Sequence, residues 1–424
     1  MAYLSINGLL QPVLITLLAL VCARFFVRDT AASDTHEFAA LDGLRGLLAL
    51  TVFIHHSVYW FYYSRGQGWH GGDSVLYENF GQTSICLFFM VSGFLFGHKL
   101  LEARQKPLDW LRLYCSRLLR LGPLYFTVLL FILALITVKS SFTMHQDWHE
   151  FWTSLRHWLL FTIPSHADIN GFPNTHVLTA GVVWTLPYEW YFYLCLPAVS
   201  LLLGSRSQTN PLPWLLISAA CVLTFSYWGL DSTLLWGFVG GFVAALAIRH
   251  TELRRLLRGM NWVALACLII GYTCFTTNEY YTRLLILTVA FTSIAAGTNL
   301  FGVLTSRSCR ALSNISYGIY LLHGLVLYLT FNWVLSPETS IAMTEQQHVL
   351  LMIAITPVIV AISALSWHWV EWPAMQNTTK LARWLRSLNP PAPVVAPTSV
   401  DPSHSMSNNQ PSQRTNELVE QRHD

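Results

Sequence analysis

Apolar residues run along this chain in blocks rather than in alternation. Eleven blocks are long enough to cross a hydrocarbon core as a helix, which takes about 20 residues. They are 3–23, 44–63, 80–101, 121–138, 181–203, 213–229, 232–248, 261–277, 284–304, 313–335 and 347–370. Between them lie turn-forming stretches such as Ser205–Pro213, with its Asn-Pro-Leu-Pro run. The pattern predicts an all-α integral membrane protein of about 11 transmembrane helices. The first block has no basic residues ahead of it, and Arg24 and Arg28 follow it, so it reads as a retained span rather than a signal peptide.

Two segments between or beyond the blocks differ. In 139–180, the longest external connection, Trp148, Trp152, Leu155, Trp158 and Leu159 recur at helical spacing and predict a helix lying on the outer membrane surface. The tail from Asn389 is rich in Pro, Ser, Asn and Gln without apolar period and reads as disordered.

Composition agrees with a membrane protein. Of 424 residues 53% are hydrophobic and 11% charged, against about a quarter charged in soluble domains, and mean hydropathy is +0.43. This excludes an ordinary cytosolic enzyme, a disordered protein and a nucleic-acid binder; a net charge of +3 over such a length attracts no polyanion as a whole. The 17 Trp and 17 Tyr suit many lipid–water boundaries. Eight scattered Cys, with no Cys-x-x-Cys pair, read as small buried hydrophobes.

Charge placement orients the chain. Nineteen Lys and Arg, among them Arg24, Arg45, Arg104, Arg112, Arg206, Arg254, Arg310 and Lys380, fall on one alternate set of connections; Arg65, Lys139, Arg156 and Arg283 fall on the other. The positive-inside rule then puts the N-terminus outside and the C-terminus in the cytoplasm.

Ionisable groups at membrane depth are costly and default to functional candidates. At about 1.5 Å rise per residue, His56 lies roughly 16 Å beyond Arg45, Glu189 roughly 12 Å in from the opposite side, and His323 roughly 15 Å in from the cytoplasm. Three titratable groups from distant spans thus converge on one depth. The plainer reading for each is a bond between helices. His55 and His56 are about 100° apart on a helix, so one of them faces the bundle interior, and depth does not choose. The connection 99–120, with Arg112, Arg117 and Arg120, reads as an amphipathic cytoplasmic helix. Its arginines serve either topology or phosphate recognition. His145, His149, His157, His166 and His176 cluster in the external connection, but lack a Cys or clear carboxylate partner; they read as solvated surface, and no metal site is expected.

The runs Leu-Asp-Gly-Leu-Arg-Gly-Leu-Leu-Ala-Leu-Thr-Val-Phe-Ile-His-His (41–56) and Phe-Phe-Met-Val-Ser-Gly-Phe-Leu-Phe (88–96) resemble the acyltransferase 3 family, integral membrane O-acyltransferases that include bacterial surface-polysaccharide acetylases. Ser-Arg-Leu-Leu-Arg-Leu-Gly-Pro-Leu-Tyr (116–125), Trp-Thr-Leu-Pro-Tyr-Glu-Trp-Tyr-Phe-Tyr (184–193), Ser-Tyr-Gly-Ile-Tyr-Leu-Leu-His (316–323) and Trp-Val-Glu-Trp-Pro (369–373) follow in the family's order. The resemblance implies a membrane acyltransferase domain over 39–375, a ten-helix core preceded by an extra helix and linker (1–38) and followed by a cytoplasmic tail (376–424). It selects His56 over His55. It further implies catalytic roles for His56 and Glu189, and substrate-binding roles for Arg45, Arg117, Arg120 and His323. The aromatics around Glu189 are heavier than the family's usual pattern. The extracellular hydrolase-like domain of some relatives is not among these residues, so the membrane core is expected to act alone or with another protein.

The implied reaction moves an acyl group, acetyl first among them, from cytoplasmic acyl-CoA to a hydroxyl of a cell-surface or periplasmic carbohydrate, in a multi-pass protein of the bacterial inner membrane. No bound cofactor is expected; acyl-CoA is a co-substrate. Such transfer needs a general base and a group to stabilise the developing oxyanion, with His56 as base or acyl carrier. The competing readings are a transporter with an intramembrane His/Glu proton relay, for which repeat symmetry is scant, and an acyltransferase using succinyl or longer acyl groups or a lipid acceptor.

Overall fold

The computed structural model describes residues 5–27, 37–163, 165, 167–207, 210, 212–227 and 230–388. Arg28, His166 and the tail from Asn389 lie outside these residues. The chain up to Ala382 is one unit, and of the second, from Arg383, only the end of a helix is described.

Every element is helical: α1 (Leu10–Phe26), α2 (Ala39–Tyr63), α3 (Val75–Glu102), α4 (Trp110–Lys139), α5 (Trp148–Leu159), α6 (Leu186–Leu202), α7 (Leu212–Tyr227), α8 (Leu235–Ala247), α9 (Thr251–Leu257), α10 (Asn261–Thr273), α11 (Tyr280–Ala295), α12 (Arg307–Asn314), α13 (Ser316–Leu329), α14 (Pro337–Ala342), α15 (Glu345–Ser366), α16 (Trp372–Gln376) and α17 (Thr378–Leu388). Among the described residues the β pairing is one isolated bridge, Leu108 with Ser207. Among the described residues four helical stretches are long and apolar enough to cross a membrane: Val75–Glu102, Trp110–Lys139, Ser316–Val334 and Glu345–Gln376. A fifth is gained if Ser232–Ala247 and Thr251–Leu257, bent by 112°, count as one.

Each apolar block holds a helix, but several helices stop short of the block. The block 284–304 is helical only to Ala295, because Gly297, Leu300, Phe301 and Gly302 have positive φ and turn the chain. The block 313–335 breaks at Ile315, between α12 and α13, and ends in a π turn over Thr330–Val334. The amphipathic helix expected over 99–120 is divided. Residues up to Glu102 finish α3, and a new start capped by Asp109, whose side chain accepts from the Arg112 N–H at 3.1 Å, runs on as the 30-residue α4. Helix α5 forms where the Trp spacing placed it, capped by Asp147. Its apolar residues serve two faces: Leu155 and Trp158 are buried, whereas Trp148, Trp152 and Leu159 are exposed.

Connections sharing a charge class touch one another. At one end the α3–α4 connection binds the one after α6 through Leu108 N–H to Arg206 O (2.9 Å), Arg206 N–H to Ala103 O (2.8 Å) and Arg104 Nε to Leu203 O (2.8 Å). At the other, the Tyr77 hydroxyl donates to Gly8 O (2.9 Å), and Arg65 donates to Met343 O. Arg283, assigned from sequence to an external connection, is instead buried in the first turn of α11, where its guanidinium donates to Asn79 Oδ1 (2.7 Å) and Gln82 Oε1 (2.8 Å). In the interior α3 and α8 pack backbone to backbone. A Cβ on Gly241 would stand 1.9 Å from Met90 O, and one on Gly93 2.1 Å from Phe238 O; small residues permit this approach.

Candidate active site

Both histidines on α2 are buried, so the expectation that only one of them faces inward does not hold. They turn to different neighbours. The His55 Nδ1 lies 2.8 Å from Tyr77 O, and its ring packs against α3, where a Cβ on Gly81 would come within 2.8 Å. The His56 Nδ1 lies 3.0 Å from Val52 O and 3.1 Å from Nε2 of His323 on α13. His323, fully buried, has its own Nδ1 2.8 Å from Ile319 O. One tautomer satisfies every contact: each ring carries its proton on Nδ1, and His56 shares that proton between Val52 O and His323 Nε2. The lone pair of His56 then resides on Nε2.

A cavity of about 590 Å³ lies among α2, α3, α4, α6, α13 and the Trp367–Met375 segment, within the usual range for small-molecule sites. Arg45, Arg117, Arg120 and Arg310 line it together with Glu189 and Asp42, so cations outnumber anions. Arg45 and His56, eleven residues apart on α2, are within about 20° of the same helix face and about 16 Å apart along it. Arg45 faces Asp42 at 3.8 Å. Arg117 lies 5.3 Å from the Phe96 ring. Arg120 is held from behind: it pairs at 3.4 Å with the fully buried Glu371 and lies 5.3 Å from the Trp367 ring, while Ser366 Oγ donates to Glu371 at 3.2 Å.

Farther along α3 and α13 from these arginines, the cavity is lined by Ile85, Phe88, Thr185 and Tyr320. The Tyr320 hydroxyl is fixed by Thr185 Oγ1 (2.9 Å) and Val182 O (3.1 Å), and the ring meets Phe88 and His323 edge-on, at 5.9 and 6.5 Å between centroids. Tyr317, Tyr320 and His323 stand three apart on α13, each step turned by about 60°. The helix surface therefore winds from the cavity to the histidine pair.

The structure brings together Arg45, Arg117, Arg120 and Glu189 around the cavity, and His56 with His323 beyond it. Glu189 does not join the histidines: it accepts from Ser92 Oγ at 3.0 Å and from the Tyr193 hydroxyl. His323, read from sequence as substrate-binding, is outside the cavity lining and bonded to His56. Equal depth placed three groups in one layer but not at one point, since depth says nothing about which way a side chain points. Ser92, Tyr193, Tyr320 and Glu371 were not singled out from sequence. All four lie inside the runs that carry the family resemblance. Glu371 went unassigned because the last block was ended at residue 370, one position short of a buried carboxylate. Of the histidines between α4 and α6, His145 Nε2 lies 3.0 Å from Thr143 Oγ1 and His157 Nδ1 2.8 Å from Ser165 Oγ. Among the described residues no three His, Cys, Asp or Glu side chains group as a metal site.

Comparison with known proteins gives two positive findings. A family model described as an acyltransferase domain matches residues 38–368. A protein of Bacillus subtilis (strain 168), named a putative peptidoglycan O-acetyltransferase, is 23% identical over 375 residues, covering 78% of this chain and 54% of that protein. The chain thus spans about half the length of this curated relative. No solved structure matches.

Proposed function

The chain belongs to this acyltransferase family and is an acyltransferase, and we propose on that premise that it moves an acetyl group from cytoplasmic acetyl-CoA to a hydroxyl of a cell-surface carbohydrate. In this reading it is a multi-pass protein of the bacterial inner membrane with eleven spans, its N-terminus outside and C-terminus in the cytoplasm. Residues 39–375 are its membrane acyltransferase domain, set between the extra helix with its linker (1–38) and the tail (376–424). The carrying observation is the cavity with four arginines on its wall, whose lining reaches Tyr320, one turn along α13 from the His56–His323 pair.

Arg45, Arg117 and Arg120 hold the donor's phosphates, because guanidinium groups match phosphate oxygens in charge and geometry. The thioester extends toward Tyr320. His56 Nε2 takes the proton of the acceptor hydroxyl as its oxygen attacks the thioester carbonyl; the C–S bond then breaks, and the CoA thiolate leaves with the proton carried by the imidazolium. His323 fixes the His56 tautomer by accepting from Nδ1–H. Glu189, anchored by Ser92 and Tyr193, orients the polar groups of the cavity. A base of this kind contributes about 10²–10⁴-fold. The Tyr320 hydroxyl, which donates to Val182 O, would have to turn from that carbonyl to supply a donor for the developing oxyanion.

In lipid nanodiscs, Arg117→Ala is expected to raise the KM for acetyl-CoA about 10–100-fold, the loss of a charge-assisted contact, with kcat little changed. An unchanged KM would assign Arg117 to topology instead.

A further inference from the structure

His56 is not among the residues that line the cavity, and a second group of side chains stands against its ring. The connection after α2 returns Trp69 over the His56 ring, with centroids 6.0 Å apart and the planes tilted by 31°. Tyr59, one turn along α2 from His56, packs against both, its ring 5.9 Å from His56 and 5.4 Å from Trp69. Tyr63 and Trp60 meet the indole in T-shaped contacts at 5.3 and 5.8 Å. The Tyr59 hydroxyl donates to Glu78 Oε2 at 2.7 Å, and Gln82 donates to Glu78 Oε1 at 3.0 Å. The base of the connection is anchored, since Arg65 donates to Phe61 O at 2.6 Å and to Met343 O.

His56 itself is 8% exposed, whereas Trp69, Tyr59 and Glu78 are all half-buried, with surface still open. An indole joined to a carboxylate through Tyr59 suits a sugar ring: the aromatic face takes the C–H side, and acceptor oxygens take the hydroxyls. A carboxylate offers about four lone-pair sites, and Tyr59 and Gln82 use two. Arg283 reaches Gln82 from behind at 2.8 Å, so the donors that orient Glu78 are themselves held in place.

We infer that Trp69, Tyr59 and Glu78 form the acceptor subsite, which binds a carbohydrate ring and presents one of its hydroxyls to His56 Nε2, where the thioester carbonyl must also arrive. The inference deepens the proposed acetyl transfer and rests on it for the role of His56, although the binding itself can be measured without turnover.

The probe is chitopentaose, a soluble N-acetylglucosamine oligomer, given to the full chain in nanodiscs. Equilibrium binding of the labelled oligomer is measured beside acetyl-transfer kinetics. Trp69→Ala and Glu78→Gln are each expected to weaken binding and raise the acceptor KM at least about tenfold, as loss of one charge-assisted or aromatic contact does. Trp69→Phe should fall between Trp69→Ala and wild type, and should keep the comparison usable if Trp69→Ala accumulates poorly. The KM for acetyl-CoA should not move in any of them. Equal binding by wild type and all three variants, or no binding by wild type, overturns the subsite. Trp69-dependent binding without turnover of acetyl-CoA would overturn the donor assignment and leave the subsite standing.

Discussion

Glu371 and Arg120 show what a single residue contributes here. The carboxylate is wholly buried, and its partner's guanidinium lines the cavity. Removing one member of such a pair leaves an uncompensated charge out of water, which costs about 3–5 kcal/mol, whereas the intact pair adds little net stability. The pair therefore serves to hold Arg120 against the cavity wall rather than to stabilise the fold. Glu371→Gln keeps the shape and removes the charge; it is expected to lower stability by about 3–5 kcal/mol, read as a fall in the thermal unfolding midpoint. A change below about 1 kcal/mol would mean that water already screens the pair. A histidine at this point of α2 was legible in sequence because an ionisable group at membrane depth is costly, and the family resemblance, not depth, chose His56 over His55. The bond of His56 to His323 was not legible, because the partners are 267 residues apart and depth carries no direction.

Elements were legible to the extent that apolar length and turn chemistry dictate them. The long uninterrupted runs of α3, α4 and α15 were found, as was the Trp-spaced α5. What escaped was the breaking of helices inside apolar sequence: the turn at Gly297–Gly302 and the break at Ile315 both lie within hydrophobic blocks, whereas the bend between α8 and α9 falls where the block 232–248 was expected to end. Local hydropathy cannot see the first two, since in a bundle the neighbouring helices satisfy an interrupted backbone. The close seam of α3 with α8 is likewise a matter of glycine placement. It backs the cavity wall, because Phe238 of α8 stacks on Phe89 and on Phe192, 4.5 and 4.2 Å between centroids. Gly241→Ala sets a methyl 1.9 Å from Met90 O, so the helices must separate. A destabilisation of about 1–3 kcal/mol is expected, measured as loss of thermal midpoint in detergent. An unchanged midpoint would show that the seam yields at no cost.

At the scale of the whole molecule, a cavity lined by four arginines and an aromatic group with a nearby carboxylate both lie close to one histidine pair. Under the proposed reaction, the first would hold the phosphate-bearing donor and the second the hydroxyl-bearing acceptor. The arrangement also explains why the order of motifs was readable while the site was not: each run supplies one wall, and only the packing of α2, α3, α4, α6 and α13 makes them meet. The most direct test is transfer of label from acetyl-CoA to the cell-surface carbohydrate fraction, comparing wild type with His56→Ala at equal membrane levels. Label with wild type, and a loss of about 10²–10⁴-fold in the variant, is the expected result. Equal labelling by the two proteins would contradict the account, because the pair beyond the cavity would then have no part in the chemistry.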